Sequence, residues 1–182
     1  MFDLLAVPED RILAIRAIAS GLSSGMTVAL STHVNSDGDG CGSEAALSRL
    51  LFHRGVSCRI VNPTPWPVMF RFLLGGPVQD FSDHGAAALR DPDVNALLVV
   101  DISDVKRLGN LADVVREMTV PRFCIDHHIP SDEPPASVIF ADTRASATGE
   151  LVFDLAQVLG LPIDMETATA LYIAILTDTG GF

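Results

Sequence analysis

Short apolar runs alternate with longer stretches in which apolar residues recur every three or four positions along this 182-residue chain. The short runs predict buried strands, whereas the longer periodic stretches predict helices with one buried face. Predicted strands cover residues 26–31, 57–61, 96–100 and 122–125, and a short edge strand covers 137–140. Predicted helices cover the segment opened by Pro8 and residues 42–53, 68–74, 84–90, 111–118, 147–159 and 165–177.

Strands that alternate with helices predict the fold class: α/β and doubly wound, with a largely parallel sheet and helices on both faces. The length of 182 residues fits one domain with a real core and is short for two. The segment NPTPWP, residues 62–67, is predicted to be irregular because proline lacks an N–H donor and restricts its neighbours.

The charge balance narrows the classes of partner. Twelve basic residues against 23 acidic ones give a net charge of −11, which argues against binding of long duplex DNA. A small anionic substrate held through bound cations stays compatible with this charge. No apolar run approaches the roughly 18 residues of a membrane span, and the N-terminus lacks a secretory signal. We therefore expect a cytoplasmic protein with no membrane partner and buried free cysteines, and homo-oligomerisation stays open.

Candidate chemistry lies at the carboxyl ends of three predicted strands. Strand 26–31 leads into His33, Asp37 and Asp39, strand 96–100 into Asp101, and strand 122–125 into Asp126, His127 and His128. Ligands bind at the carboxyl edge of open parallel sheets, so these side chains are expected to converge in one crevice. Aspartates gathered there would repel one another, and a divalent cation would remove that penalty.

The donor atoms of this set indicate the kind of metal. Carboxylate oxygens and imidazole nitrogens suit Mn²⁺, Mg²⁺ or Zn²⁺, and no thiolate lies in the set to favour zinc. The set is large enough for two ions about 3.5–4 Å apart, an arrangement used for in-line attack on phosphorus. Gly38 and Gly40 are expected to let a loop turn tightly, so that Asp37 and Asp39 face one site. Each piece alone also has an ordinary structural interpretation: a turn for the Asp-Gly-Asp-Gly stretch, a helix cap for the single aspartate, and a surface position for the histidine pair.

Four segments carry a resemblance to a known family. They are HVNSDGDG at 33–40, VDISDVKRLG at 100–109, IDHH at 125–128 and ILTDTGGF at 175–182. In this order and spacing they resemble the signature motifs of the DHH phosphoesterase superfamily, in its N-terminal catalytic domain. The resemblance implies a ligand set for two cations: His33 and Asp37 for one, Asp39, His127 and Asp178 for the other, and Asp101 as the bridge.

The resemblance also implies roles around a substrate phosphate. His128 would lie beside the phosphate and would stabilise transition-state charge or protonate the leaving oxygen. Asp126 would orient the histidines. Asn35 would hydrogen-bond metal-bound solvent or a ligand carboxylate. Arg107 would pair with phosphate or, as the favoured alternative, with Asp104.

Other features concern the rest of the chain. Ser146 is predicted to cap the helix that follows it, although the amides after it could instead face an anion. Ser36 stands where proline is common in the family, which is expected to change the rigidity of the loop and leave the ligands intact. Such enzymes carry a second, C-terminal substrate-binding domain that residues 1–182 do not contain. We therefore expect this chain to be the metal-binding catalytic domain, with specificity and full activity dependent on more than it.

The leading hypothesis is metal-dependent hydrolysis of phosphoesters in a small nucleotide or short oligonucleotide, similar to the nano-RNase and 3′-phosphoadenosine-5′-phosphate phosphatase branch. A hydroxide that bridges two divalent cations, expected to be Mn²⁺ with Mg²⁺ or Co²⁺ as alternatives, would attack phosphorus. Three alternatives stay open. An exonuclease for longer single strands, like the recombination nuclease of the superfamily, would need a basic, aromatic-lined channel. A manganese-dependent inorganic pyrophosphatase usually has threonine in place of Gly38. The third alternative is a metal- or nucleotide-binding module without turnover.

Overall fold

A computed structural model describes residues 6–181 of the chain. Within this part, five strands form one sheet and six α-helices surround it. The strands are β1 Thr27–Ser31, β2 Ser57–Ile60, β3 Val94–Val100, β4 Arg122–Asp126 and β5 Val138–Ala141. The helices are α1 Glu9–Ser20, α2 Gly38–Phe52, α3 Ala86–Leu89, α4 Ala112–Glu117, α5 Thr148–Val158 and α6 Met165–Asp178. Short 3₁₀ segments cover Val68–Leu73, Ser82–His84 and Val105–Leu111.

Every strand predicted from the apolar runs is present, and all neighbouring strands are parallel, in the order β2-β1-β3-β4-β5. The predicted α/β class is therefore confirmed. The chain changes direction across the sheet between β1 and β3, because β2 lies on one side of β1 while the later strands extend on the other. In open α/β sheets, a crevice for ligands lies outside the carboxyl ends of the strands at such a switch point.

Side chains at alternating strand positions fill two cores, one on each face of the sheet. In β3, Ala96, Leu98 and Val100 pack beneath α1, α2, α5 and α6, whereas Leu97 and Val99 pack beneath α3, α4 and the segment before α4. The predicted helices on both faces are thus confirmed. Burial from both sides explains why the sequence of β3 is a continuous apolar run rather than an alternating one.

Helix α2 begins at Gly38 rather than at residue 42, so the prediction of a loop there is wrong. The Asp37 carboxylate caps the helix by accepting hydrogen bonds from the N–H groups of Asp39 (3.1 Å) and Gly40 (3.2 Å). Close packing, and not a tight turn, requires glycine at these positions. A Cβ atom at Gly38 would lie 2.4 Å from the Thr177 side chain. The first turn of α2 therefore lies directly against α6.

The remaining local predictions have mixed outcomes. Residues 62–67 are irregular, as predicted. The predicted helices at 68–74 and 84–90 are present only as 3₁₀ segments and the four-residue α3. All three cysteines lie in the described part of the chain and are buried free thiols, as predicted. Among residues 6–181, none of the helices is long and apolar enough to cross a membrane.

Candidate metal centre

The first group of candidate ligands surrounds the end of β1. His33 follows β1, and its Nε2 atom lies 3.7 Å from Asp37 Oδ2 and 3.4 Å from Asp101 Oδ2. Asp37 precedes α2, and Asp101 follows β3, the strand that neighbours β1. Ligand atoms of these three residues lie within 4.8 Å of one another, close enough to hold one cation.

The second group surrounds His127, which follows β4. Its Nε2 atom lies 3.7 Å from Asp39 Oδ2, in the first turn of α2, and 3.4 Å from Asp178 Oδ2, at the end of α6. The same Nε2 atom lies 3.6 Å from Asp101 Oδ1. Asp101 therefore presents one carboxylate oxygen to each group, as a bridging ligand would. This division of the six side chains agrees with the one that the motifs imply, and their role as ligands stays a prediction.

Two imidazole nitrogens in these groups are available as metal ligands. Nε2 of His33 and Nε2 of His127 are buried and have no hydrogen-bond partner among the described residues. Nδ1 of His33 lies 3.0 Å from the carbonyl oxygen of Val34, which favours the tautomer that leaves the Nε2 lone pair unshared. A buried polar atom without a partner costs free energy, and a divalent cation would remove that cost. These residues therefore fit a two-cation centre.

Protons balance the charges of these groups when no cation is bound. Burial acts to lower the pKa of His33, but the carboxylates of Asp101 and Asp37 outweigh it and raise that pKa to about 10. The Asp101 carboxylate is the main cause that raises the pKa of His127 to about 9. Burial, followed by the charge of Asp101, raises the pKa of Asp39 to about 8. A cation must displace these protons, so its affinity is expected to depend on pH.

Two non-glycine residues at the centre have a left-handed backbone. Asp101 has a φ of 62° and Asn35 a φ of 55°. Such conformations cost of order 1–3 kcal/mol and tend to persist at functional sites, where the surroundings impose them. Asp101 N–H donates to Ile125 O (3.0 Å), so the chain turns sharply only after the sheet pairing is complete. Asn35 is exposed, and its N–H donates to Thr64 Oγ1 (2.8 Å). This hydrogen bond links the loop between β1 and α2, which carries His33 and Asp37, to the irregular segment 62–67.

The N-terminus of α5 supports two of the candidate ligands. The Asp39 carboxylate accepts hydrogen bonds from the N–H groups of Thr148 (2.7 Å) and Gly149 (2.9 Å), and Thr148 Oγ1 donates to Asp101 Oδ1 (3.2 Å). Thr148 is fully buried. Hydrogen bonds of this kind orient ligating carboxylates from behind. Sequence reasoning missed Thr148, although the predicted helix start at Ser146 was the signal that amides here could face an anion.

The prediction that Ser146 caps α5 is wrong. The capping position is Ala147, without a side-chain cap, and the Ser146 N–H and hydroxyl groups donate to the Glu150 carboxylate at 2.8 and 3.0 Å. The physical reason is that the Asp39 carboxylate already occupies the space in front of the first free amides. The alternative interpretation, in which these amides face an anion, describes the structure, with Asp39 as the anion.

His128 lies beside both groups and has its own acidic partner. Its Nδ1 atom lies 2.7 Å from Asp126 Oδ1 and 3.7 Å from Asp101 Oδ1. The buried Asp126 carboxylate is the main cause that raises the pKa of His128. Within residues 6–181, the Asp126 side chain hydrogen-bonds to His128 and not to His127. The prediction that Asp126 orients the histidines therefore applies to His128 alone, and it stays a prediction. His128, His127 and Asp101 also form a close group, but Asp126 already engages Nδ1 of His128.

The favoured pairing of Arg107 with Asp104 is wrong. Asp104 instead caps the 3₁₀ segment that follows it, and its Oδ1 atom accepts from Lys106 N–H (2.9 Å). Over the described ranges, the exposed Arg107 guanidinium makes no ion pair. The Arg107 carbonyl oxygen accepts from Val34 N–H (2.9 Å), which holds this segment beside the loop that carries His33. The other role that the resemblance implies for Arg107, pairing with a phosphate, stays a prediction.

The fold and this geometry define the class: an α/β protein with a candidate two-cation centre at the switch point of a parallel sheet. Residues 27–175 match the DHH family, N-terminal domain. The chain therefore belongs to the DHH family. The match contains five of the six candidate ligands, and Asp178 lies just beyond it.

Two curated relatives share one name. The chain is 29% identical over 159 residues to the bifunctional oligoribonuclease and PAP phosphatase NrnA of Thermus thermophilus, covering 84% of this chain and 43% of the relative. It is 24% identical over 159 residues to NrnA of Bacillus subtilis, covering 86% of this chain and 47% of the relative. The chain thus spans about half the length of the curated relatives it matches.

Solved structures share the fold. An exopolyphosphatase-related protein from Bacteroides fragilis has a TM-score of 0.83 at 24% identity, covering 93% of this chain and 51% of that one. RecJ from Thermus thermophilus, in complex with Mn²⁺, has a TM-score of 0.52 at 20% identity, covering 92% of this chain and 24% of that one. At these identities, the likeness is evidence of a common fold alone.

Proposed function

We propose that this chain is the catalytic part of a metal-dependent phosphoesterase. The observation that carries the proposal is the pair of ligand groups joined by Asp101, in which two buried imidazole nitrogens have no hydrogen-bond partner within residues 6–181. Carboxylate oxygens and imidazole nitrogens suit Mn²⁺, and the family resemblance implies Mn²⁺ as the expected metal, with Mg²⁺ or Co²⁺ as alternatives. One cation would be held by His33 and Asp37, the other by Asp39, His127 and Asp178, and both by Asp101.

Bound cations would supply two things: neutralisation of the phosphate charge and a water activated for in-line attack. The side chains around them have to hold the ligands still and provide a proton. Thr148 and the amides of α5 hold Asp39 and Asp101. The exposed Asn35 lies on the loop between His33 and Asp37, and the exposed Arg107 lies in the 3₁₀ segment beside that loop, where both could contact a phosphate oxygen.

His128 is the proposed proton donor. Asp126 accepts the hydrogen bond of Nδ1, so Nε2 is the nitrogen left for the substrate. In the metal-free protein, Asp126 also raises the pKa of His128, which favours the protonated ring near neutral pH. An imidazolium beside the phosphate could stabilise developing charge or protonate the leaving oxygen.

The proposed substrate is a small nucleotide or a short oligonucleotide. The curated relatives are named for oligoribonuclease and PAP phosphatase activity, which supports this class. The net charge of −11 favours a small substrate bound through cations over a long nucleic acid bound along a basic surface. A cytoplasmic location would agree with such substrates.

Mn²⁺-dependent hydrolysis of a substrate panel tests the proposal. The panel contains 3′-phosphoadenosine-5′-phosphate, a diadenylate, a short oligoribonucleotide, pyrophosphate and single-stranded DNA. We expect turnover of at least one of the first three, lost when a chelator replaces Mn²⁺. Turnover of pyrophosphate alone, or of long single-stranded DNA alone, would move the chain to another branch of the family. No turnover of any panel substrate by the Mn²⁺-bound chain would indicate a binding module and would overturn the proposal.

A further inference from the structure

Glu44 is a fully buried acid that the proposed chemistry does not use. It lies in α2, after the candidate ligand Asp39, and is 0% exposed. Its Oε2 atom accepts hydrogen bonds from Asn62 Nδ2 (2.9 Å) and Trp66 Nε1 (3.1 Å). Its Oε1 atom is buried without a partner in the part of the chain that the structure describes. A carboxyl group is costly to bury in this way, so its position needs a reason other than packing.

Asn62 extends this network to the metal centre. The Asn62 Oδ1 atom accepts from the N–H group of Thr32 (2.9 Å), the residue before His33, and both residues are buried. The Asn62 amide is thus held at both ends, with its NH₂ group on Glu44 and its oxygen on the end of β1. A continuous run of hydrogen bonds therefore joins α2, through the loop after β2, to the backbone beside a candidate ligand.

The network reaches one of the two ligand groups. His33 is the imidazole of the group that contains Asp37 and Asp101. The group around His127 has a different support, because Thr148 and the start of α5 hold its Asp39. The two halves of the centre therefore have separate hydrogen-bonded supports, and a change in one support should affect one cation site more than the other.

We propose that Glu44 is a positioning residue for the cation site built on His33 and that it acts through Asn62. This inference rests on the proposed two-cation function and adds to it a residue that touches neither cation nor substrate. Loss of a group bonded directly to a metal ligand typically lowers metal affinity about 10–100-fold, and Glu44 acts through Asn62 and Thr32, so an effect near the lower bound is expected. A single oxygen of Glu44 makes both bonds, so glutamine can replace it by presenting its amide oxygen, whereas leucine cannot.

Equilibrium Mn²⁺ binding to the whole chain, followed by the electron paramagnetic resonance signal of free Mn²⁺, tests this inference. Glu44→Leu should bind one Mn²⁺ as tightly as the wild type and the second about tenfold or more weakly. Glu44→Gln should restore the second site. Ser48→Ala is the matched control, because Ser48 is also buried in α2 but, among the described residues, its hydroxyl donates to the Glu44 carbonyl oxygen (2.9 Å) and not to the Glu44 carboxylate. Both affinities should be unchanged in that control.

Asn62→Ala provides the same test if Glu44→Leu does not fold, because it removes the oxygen that holds Thr32 N–H. It should weaken the same single site. Wild-type binding at both sites in the Leu or Ala variant would overturn the positioning role and leave the proposed function intact. Equal weakening of both sites, or failure of glutamine to rescue, would also overturn it. A wild-type chain that binds no Mn²⁺ would overturn the proposed function and this inference together.

Discussion

Asp101 combines burial, a left-handed backbone and a contact with each ligand group, and these properties have a common cause. The residue must turn away from β3 at once for its two carboxylate oxygens to reach His33 and His127. Burial acts to raise the pKa of Asp101, but the neighbouring imidazoles of His127 and His33 outweigh it and hold that pKa below its ordinary value. The carboxylate is therefore ionised and ready to ligate across the neutral pH range.

The hydroxyl group of Thr148 allows a test of the hydrogen bond that supports Asp101. Thr148→Val keeps the shape of the side chain and removes the hydrogen bond to Asp101 Oδ1 (3.2 Å). We expect Mn²⁺ affinity to fall about tenfold, since supporting residues of metal sites have effects of this size. Thr148→Ser keeps the hydroxyl and should bind Mn²⁺ like the wild type. Equal affinities of the Val variant and the wild type in a Mn²⁺ titration would contradict the supporting role.

The sequence predicted the residues that directly follow strands and missed those that act across space. His33 and Asp101 could be selected because each follows a buried strand, and the carboxyl ends of parallel strands share one edge. Asp178 came only from the family resemblance, because the end of an apolar helix gives no local signal. Thr148 and Glu44 escaped notice because their importance depends on partners that are remote in sequence.

At the scale of elements, α2, α5 and α6 approach one another closely at the centre. A Cβ atom at Gly42 in α2 would lie 2.5 Å from the backbone oxygen of Ala170 in α6. A Cβ atom at Gly149 in α5 would lie 2.5 Å from the Cβ atom of Ala174 in α6. Because these helices carry Asp39 and Asp178, the small residues between them fix the spacing of the second ligand group.

The two glycines should respond differently to the same second change. Gly42→Ala and Gly149→Ala are each expected to destabilise the protein by about 1–3 kcal/mol through overpacking. Ala174→Gly should relieve the Gly149→Ala variant, because the clash is with the Ala174 side chain. It should relieve Gly42→Ala much less, since the backbone oxygen of Ala170 stays in place. Urea unfolding of the single and double variants measures this coupling, and identical coupling in both pairs would argue against the described packing.

Element types were more predictable than element starts. The five strands were found because apolar, β-branched runs of this length have few other uses in a small domain. The start of α2 was missed because Gly38 and Gly40 have low helix propensity, and propensity was overridden by the Asp37 cap and by contact with α6. Tertiary contacts of this kind cannot be read from local sequence.

At the scale of the whole molecule, the order of the strands brings the two ligand groups together. The alternation of strands and helices predicted a parallel sheet, but it did not fix the order β2-β1-β3-β4-β5. That order places β1 beside β3 and β3 beside β4, so the three ligand-bearing strand ends are adjacent. The expected further substrate-binding domain stays a prediction, and the chain spans about half of its curated relatives.

The raised pKa values predict how stability and metal binding change with pH. In the metal-free protein, the pKa of Asp39 is about 8, that of His127 about 9 and that of His33 about 10, each above its unfolded value. Their protonation therefore stabilises the fold below the unfolded pKa values, and this contribution is lost as pH rises through about 8 to 10. Fewer protons then have to be displaced by a cation, so Mn²⁺ affinity should rise with pH.

Thermal unfolding measured with and without Mn²⁺ checks this prediction. Between pH 6.5 and pH 8, the increase in Tm caused by a fixed Mn²⁺ concentration should grow. An increase of the same size at both pH values would mean that the cation displaces no protons from these side chains. That result would contradict the raised pKa values of His33, Asp39 and His127.

The number of Mn²⁺ ions bound per chain tests the central claim most directly. Metal analysis after equilibrium dialysis should give two Mn²⁺ per wild-type chain. Asp101→Ala should retain fewer than two and should lose Mn²⁺-dependent turnover, because it removes the ligand common to both groups. Two tightly bound ions and near wild-type turnover in Asp101→Ala, or no bound Mn²⁺ in the wild type, would contradict a two-cation centre joined by Asp101.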